Sequence, residues 1–171
     1  DITFTNRRVD LLEEQFDLAI RSSIDMSATP NGERLFSHPL VTAASPDYLS
    51  KHGTPPNINN LKLHNCLCGT LPRWRFQVGG NIREVTVTGN WHANNGRALV
   101  HAAKVGLGII QVPNFYVTEA LSNGDLTEIL APARVENNSF WAIYPKSHHV
   151  PRKTQMLVDF IRDNLNQNHP H

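Results

Sequence analysis

The sequence predicts an α/β fold, in which short buried strands alternate with amphipathic helices. Two stretches, one before residue 45 and one around residues 94–112, each show a strand pattern next to a helix pattern. The composition, with 40% hydrophobic and 18% charged residues, is typical of a folded protein with a packed core. A chain of 171 residues suits one domain or two small lobes.

The charge balance excludes two classes of partner. The chain has 16 basic and 15 acidic residues, a formal net charge of +1, which gives no strong attraction to a nucleic-acid backbone or an anionic membrane. The longest nearly apolar stretch, residues 105–112, is less than half of the roughly 20 residues that a membrane-spanning helix needs. We therefore expect no membrane partner.

The first elements indicate a parallel strand pair. Ile2 and Phe4 alternate with polar residues, as in a strand. Residues 9–16 carry apolar side chains at positions i, i+3 and i+7, as in a short helix, and residues 17–20 read as a buried strand that ends at Arg21. This order predicts a βαβ crossover and a parallel sheet.

The next segment contains a loop, a strand and a well-marked helix. Polar and turn-forming residues make 21–33 a surface loop, and residues 35–44 form a strand that is long or kinked because it contains Pro39. Ser45, followed by proline and aspartate, is a strong helix start, and Gly53 marks the helix end.

The remaining elements repeat the alternation. Small residues after the Asn94-Asn95-Gly96 run predict a helix that lies close to a sheet, and Pro151 begins a final helix. The other predicted strands are 66–69, 74–77, 84–88, 109–112, 126–130 and 140–144, a further helix is 115–121, and the inward residues of the last helix are Leu157, Phe160, Ile161 and Leu165. Two α/β groups joined by strands that can cross between them predict two lobes with a ligand-binding cleft.

Three positions are candidates for ligand contact, each with a structural alternative. Asn94 is placed to cap a helix N-terminus, where a bound anion would also be favoured, and Ser45 offers a second such terminus. Arg21 follows a buried strand, where a guanidinium can grip a carboxylate or simply form a surface salt bridge. The residues alone leave these alternatives open.

No catalytic or metal-binding motif is convincing. His64, Cys66 and Cys68 are potential metal ligands or a histidine–cysteine pair, but their i, i+2, i+4 spacing is not that of a zinc loop and no third orienting residue is evident. Two cysteines one residue apart are poorly placed for a disulfide, which favours buried, reduced thiols in a cytoplasmic protein. His148 and His149 are expected on a polar turn, and His169 and His171 on a frayed tail. We expect no enzyme activity, no cofactor and no bound metal.

Several runs of residues, taken in order, resemble the effector-binding domain of LysR-type transcriptional regulators. The resemblance spans nearly the whole chain, from about Ile2 to Leu165. It is carried by residues 7–12, 16–21, 44–49, 52–55, 94–96, 103–109, 112–113, 124–126 and 142–145.

The resemblance implies two Rossmann-like lobes of the type 2 periplasmic-binding-protein fold, joined by two crossover strands. Lobe I would contain residues 1–43 and 145–171, and lobe II residues 44–144. The small-molecule effector would bind in the cleft between them. The matching contacts are Arg21, Ser22, Ser45, Asn94, Asn95, Pro113, Asn114 and Phe115.

The implied function is to sense a small polar or anionic metabolite and to self-associate as a dimer or tetramer within a bacterial regulator. DNA would be contacted only through an N-terminal helix-turn-helix domain, which we expect to lie outside this chain, and we expect the first βα unit of the family's effector domain to have no counterpart here. One alternative is a solute-binding protein of a transport system with the same fold. A second is an enzyme that uses His64 and Cys66.

Overall fold

The structure, a computed structural model, describes residues 1–5, 7, 9–24, 31–146 and 150–168, with side chains up to residue 164. It is a mixed α/β fold made of two compact units: Asp1–His38 with Asn137–His171, and Pro39–Glu136. The strands are β1 (Ala19–Ser23), β2 (Gly32–Ser37), β3 (Leu40–Ala44), β4 (Arg73–Val78), β5 (Asn81–Thr86), β6 (Ile110–Pro113), β7 (Thr127–Glu128) and β8 (Ser139–Ile143). The α-helices are α1 (Pro46–His52), α2 (Gly96–Lys104), α3 (Thr118–Ser122) and α4 (Arg152–Asn168).

The first unit is built on a three-stranded sheet with α4 against one face. The strand order is β1-β8-β2, and both pairings are antiparallel. Leu35, Ala142 and Val158 form the buried centre of this unit. We call this sheet 1.

The predicted βαβ start is wrong within the described residues. Residues 1–5 form no strand, and Ile2 and Phe4 are 84% and 94% exposed. Residues 11–15 form a hydrogen-bonded turn rather than a helix, because Gln15 has a φ of 57°, a left-handed conformation that ends helical propagation. The apolar positions of residues 9–16 fit a helix, but such a pattern alone does not supply a partner strand for residues 1–5 or a segment long enough to remain helical.

Pro39 divides the strand that was predicted over residues 35–44. β2 ends at Ser37 and β3 begins at Leu40, since proline has no N–H to donate to a ladder. The chain changes unit after His38 and again after Glu136, earlier than the predicted positions near residues 43–44 and 144–145. The reason lies in the pairing: β3 bonds to β6 and β7, whereas β8 bonds to β1 and β2.

The second unit contains a β6-β3-β7 sheet and a β4–β5 hairpin, again with antiparallel ladders. Parallel contacts among the described residues are limited to two isolated bridges, Cys66 with Ile109 and Cys68 with His92. The expectation of a parallel sheet is therefore corrected here as well. The buried face of α2 packs on the sheet through Leu99, Val100, Ala102 and Ala103.

A side-chain amide ties the hairpin to this sheet. Gln111 of β6 accepts a hydrogen bond from the backbone N–H of Arg75 at 3.0 Å and donates one to the Arg75 carbonyl at 2.8 Å. The same amide nitrogen donates to Thr42 Oγ1 at 3.3 Å. Gln111 thus satisfies both backbone groups of a hairpin residue, as a neighbouring strand would.

The start and end of α1 confirm the sequence prediction. Ser45 is the N-cap, its hydroxyl accepts a hydrogen bond from the Tyr48 N–H at 3.2 Å, and Pro46 opens the helix. Gly53, with a φ of 78°, ends the helix and donates its N–H to the Leu49 carbonyl at 2.8 Å.

Three predicted elements are shorter or divided in the structure. The strand expected over 66–69 is reduced to the two isolated bridges, and the strand expected over 126–130 to β7. The helix expected over 115–121 is a 3-10 turn at Asn114–Tyr116 followed by α3.

The inward face of α4 differs from the prediction. Thr154 and Val158 are buried, while Leu157 and Phe160 are 50% and 64% exposed. Ion pairs on both sides of the helix accompany this rotation: Lys153 with Asp17, and Arg162 with Glu33. Ile161 is half-buried as expected, and the side chain of Leu165 lies outside the described residues.

Candidate functional site

The N-terminus of α2 is capped by Asn95, not by Asn94 as the sequence suggested. The Asn95 side chain accepts hydrogen bonds from the N–H groups of Arg97 at 2.9 Å and Ala98 at 3.3 Å. Asn95 has extended backbone angles, as an N-cap requires, so the helix begins one residue later than predicted. Asn94 and Asn95 are both exposed, which leaves the Asn94 side chain accessible beside the helix start.

Gly96 brings the segment after β6 against this helix start. A Cβ atom on Gly96 would lie 2.7 Å from Cε2 and Cζ of Tyr116, so only glycine lets the tyrosine ring approach this closely. The ring of Tyr116 also packs against that of Phe115, with the two planes tilted and the centroids 4.5 Å apart. The structure therefore brings the predicted contacts at 94–95 near those at 113–115.

The predicted contacts Pro113, Asn114 and Phe115 are all half-buried. Pro113 ends β6 in register with Leu40, and the Asn114 N–H donates to the Pro39 carbonyl at 2.9 Å. Tyr116 was missed by the sequence reasoning. Its signal was Gly96 itself, since a glycine as the first helical residue after a cap suggests a close approach by another group.

Ser45 has the structural role that was its alternative interpretation. It is 2% exposed, and its hydroxyl is engaged by the first turn of α1. A ligand could reach this hydroxyl only if its neighbours moved. Contact through Ser45 stays a prediction that the burial argues against.

Arg21 and Ser22 point to opposite faces of sheet 1, because adjacent strand residues alternate. Arg21 is the middle residue of β1, an antiparallel strand, and not the residue that follows a parallel strand, as the sequence suggested. Arg21 is half-buried and makes no side-chain hydrogen bond or ion pair with another described residue. Its guanidinium is therefore available to an anion on its own face of the sheet.

Ser22 belongs to a polar cluster with His38 and Asn138. Its Oγ lies 3.2 Å from Nε2 of His38 and accepts a hydrogen bond from the Asn138 side chain at 3.0 Å. His38 is fully buried, and its ring centroid lies 4.2 Å from that of Phe140. Burial lowers the pKa of His38 to about 4, although a hydrogen bond with the Ser139 backbone acts in the opposite direction. The sequence reasoning missed this cluster, because Asn138 is a hundred residues away from His38.

The cysteines are structural, as expected. Cys66 and Cys68 are free and buried. Burial raises the pKa of Cys66 to about 12, with a smaller contribution from Cys68, so a thiolate is disfavoured. His64 lies beside Tyr48, with Nδ1 3.3 Å from the phenolic oxygen, and no triad of His, Cys, Asp or Glu suited to a metal occurs among the described residues. The predictions for His148, His149, His169 and His171 fall outside the described residues.

A cavity of about 270 Å³ lies in the first unit, and its mixed lining includes Leu11, Phe16 and Val150 together with the polar Gln15 and Asp17. None of the predicted ligand contacts lines it. Within the described part of the chain, no helix combines the length and apolar character needed to cross a membrane.

Comparison with known proteins gives a consistent picture. Residues 1–166 match the family described as the LysR substrate binding domain. The chain is 28% identical over 167 residues to the probable HTH-type transcriptional regulator LtrA of Klebsiella pneumoniae, covering 94% of this chain and 54% of that protein. The chain thus spans about half the length of this curated relative.

Two solved structures show the same fold. The regulatory domain of CrgA, a LysR-type transcriptional regulator from Neisseria meningitidis, is 26% identical with a TM-score of 0.71, covering 94% of this chain and 81% of that one. The full-length virulence activator AphB of Vibrio cholerae has a TM-score of 0.75 at 24% identity, covering 96% of this chain and 57% of that one, and this likeness concerns the fold alone. These neighbours have the type 2 periplasmic-binding-like fold predicted from the sequence. The chain belongs to the family of LysR substrate-binding domains.

Proposed function

We propose that this chain is the effector-sensing and oligomerisation domain of a bacterial LysR-type transcriptional regulator, and that its effector is a small polar or anionic metabolite. The family match over residues 1–166 carries the proposal. The curated relatives are transcriptional regulators, which supports a sensor rather than an enzyme or a transport protein.

The chemistry of the candidate residues supports a polar or anionic ligand. Arg21 offers a guanidinium that no described carboxylate neutralises, and the exposed Asn94 offers an amide donor and acceptor. The helix start beside Asn94 adds the positive end of the α2 dipole. We keep Arg21, Asn94, Asn95 and the 113–115 segment as proposed contacts, and contact through Ser22, on the opposite face of sheet 1 from Arg21, stays a prediction that its bonds to His38 and Asn138 argue against.

A sensor of this kind works by population shift. The effector must bind one of two conformational states of the regulator more tightly than the other. The ratio of the two affinities sets how far the effector can shift the population of promoter-bound regulator towards that state. DNA contact belongs to a helix-turn-helix domain in the complete regulator, and self-association as a dimer or tetramer would pass the signal between copies.

The test is a thermal-shift screen of this chain against carboxylates, phosphorylated compounds, amines and neutral metabolites, followed by titration of each hit. Arg21→Ala and Asn94→Ala are expected to weaken binding of the hit at least tenfold while unfolding at the temperature of the parent chain. Arg83→Ala and Asn123→Ala replace exposed residues of the same types away from the proposed contacts and serve as controls.

A promoter-reporter assay with the complete regulator then connects binding to function. The hit is expected to change transcription, and the change should be lost in the two contact variants. If no class of compound raises the melting temperature and no compound changes transcription, the sensor proposal fails.

A further inference from the structure

The face of sheet 1 opposite α4 presents an ordered row of three side chains. Arg21 of β1 is in register with Trp141 of β8, and Trp141 is in register with Arg34 of β2. Residues directly opposite each other across a ladder share a face, so these three side chains stand side by side. We call them the Arg-Trp-Arg row.

The row lies away from α4 because of strand alternation. Ala142, the neighbour of Trp141, packs with Val158 of α4, which fixes the opposite face for Trp141. The irregularity in β2 falls between Arg34 and Phe36 and leaves the pairing of Arg34 with Trp141 intact.

Hydrogen bonds orient the row without neutralising it. Nε of Arg34 donates to the hydroxyl of Ser139 at 2.9 Å, and a terminal nitrogen of Arg34 donates to the hydroxyl of Ser37. The Trp141 indole N–H donates to the Ser23 carbonyl at 3.3 Å, which holds the ring in place. All of these acceptors are uncharged.

No carboxylate of the described residues pairs with either arginine of the row. Glu33, the adjacent acidic residue on β2, is used on the α4 side, where it accepts hydrogen bonds from Tyr144 and Arg162. Arg34 is exposed, and Arg21 and Trp141 are half-buried, so the row is accessible from solvent. Two guanidinium groups beside an aromatic ring and without a counter-charge favour a bound anion.

We propose that the Arg-Trp-Arg row binds the carboxylate of a small planar acid, with the guanidinium groups of Arg21 and Arg34 holding the carboxylate and the indole of Trp141 packing against the planar part. This rests on the proposed function, because it names the chemical class of the effector. The spacing of roughly 4.8 Å between neighbouring strands puts the Cα atoms of the two arginines roughly 10 Å apart, a distance that two long side chains can close around one carboxylate. Guanidinium forks match carboxylate geometry, and the flat ring selects a flat ligand.

The experiment uses benzoate as the probe, titrated into the chain by calorimetry, with benzamide as its uncharged isostere and acetate as a carboxylate that lacks the aromatic ring. Benzoate is expected to bind at least tenfold more tightly than either. Arg21→Gln and Arg34→Gln are each expected to weaken benzoate binding at least tenfold, and Arg34→Lys, which keeps the charge but loses the fork, by a smaller factor. Arg83→Gln, an exposed strand arginine of the second unit, is the matched control and should bind as the parent does.

A second measurement needs no arginine variant. The chain has three tryptophans, and their indole N–H signals in a ¹H–¹⁵N spectrum can be assigned with Trp141→Phe. Benzoate is expected to shift the Trp141 signal and to leave those of Trp74 and Trp91 in place. A shift at Trp74 or Trp91 alone, or benzamide binding as tightly as benzoate, overturns the proposal.

Failure of the carboxylate site and failure of the sensor function give different experimental results. If benzoate does not bind, or binds with unchanged affinity in both arginine variants, the row is not a carboxylate site. The sensor function would then still stand if another compound class stabilises the chain and changes transcription. If no compound class does so, the proposed function fails independently of the row.

Discussion

The close approach of Tyr116 to Gly96 predicts that a single methyl group destabilises the second unit. A Cβ at position 96 would lie 2.7 Å from two ring carbons of Tyr116, whereas carbon atoms in contact prefer about 3.5–4.0 Å. The ring must therefore move by roughly 1 Å, and overpacking of this kind costs about 1–3 kcal/mol. The preference of a helix interior for alanine, about 0.5–1 kcal/mol, is an upper bound on what the substitution returns, because Gly96 is the first residue of α2. Gly96→Ala is expected to lower the free energy of unfolding by about 1–2 kcal/mol.

The sign should reverse when the ring is removed. In a Tyr116→Ala background, Gly96→Ala meets no ring and should be neutral or stabilising by up to about 1 kcal/mol. Urea unfolding followed by circular dichroism, on the four members of this double-mutant cycle, measures the difference. Gly69→Ala is the matched control, because a Cβ at Gly69 would meet nothing within 4 Å. An equal loss of stability from Gly96→Ala in both backgrounds would refute the argument.

Three further predictions concern burial. Burial lowers the pKa of His38 to about 4 in the folded chain, against about 6.5 when unfolded. Between these two pH values the unfolded chain binds more protons at this residue than the folded chain does. The free energy of unfolding is therefore highest above pH 6.5 and falls by up to about 3 kcal/mol as the pH drops towards 4. Urea unfolding at pH 7.5 and 4.5 should show a smaller loss in His38→Gln than in the parent chain, and equal losses would contradict this account. Val158→Ala is expected to lower the free energy of unfolding by about 2 kcal/mol, because Val158 is fully buried. Leu157→Ala should lower it much less, because Leu157 is half exposed. Similar melting temperatures for the two variants would show that the α4 orientation is wrong. Cys66 and Cys68 should react with a thiol reagent at pH 8 only after unfolding, since both are buried and the pKa of each is raised by burial, and rapid labelling of the native chain would contradict their placement.

The features that the sequence predicted well are those that nearby residues determine. The Ser45-Pro46 helix start depends on hydrogen bonds within one turn, so it could be recognised without knowing any distant partner. Gly53 marks the helix end for a similarly local reason, its positive φ value.

The features that the sequence missed depend on distant partners. Antiparallel pairing of β1 with β8 joins residues more than a hundred positions apart, and no local pattern distinguishes it from a parallel pairing. The buried face of α4 is the one on which Val158 meets Leu35 and Ala142, and the helix's own pattern does not identify this face because apolar residues lie all around it. Asn94 was placed one residue from the true cap because either asparagine can fill that role, and only the backbone angles decide between them.

The candidate site was predicted mainly by resemblance, and the structure changes how its members are grouped. Arg21 and Ser22 are adjacent in sequence but serve different faces of sheet 1, so Arg21 joins Arg34 and Trp141 whereas Ser22 joins His38. Register across strands, which produces this grouping, is a property of the fold and cannot be read from two neighbouring letters.

The amide of Gln111 makes the attachment of the β4–β5 hairpin depend on one –NH₂ group. Replacement by glutamate puts an oxygen in place of this donor, opposite the Arg75 carbonyl, so an attraction becomes a repulsion between two acceptors. The variant Gln111→Glu would therefore carry a loosened hairpin on an otherwise native sheet.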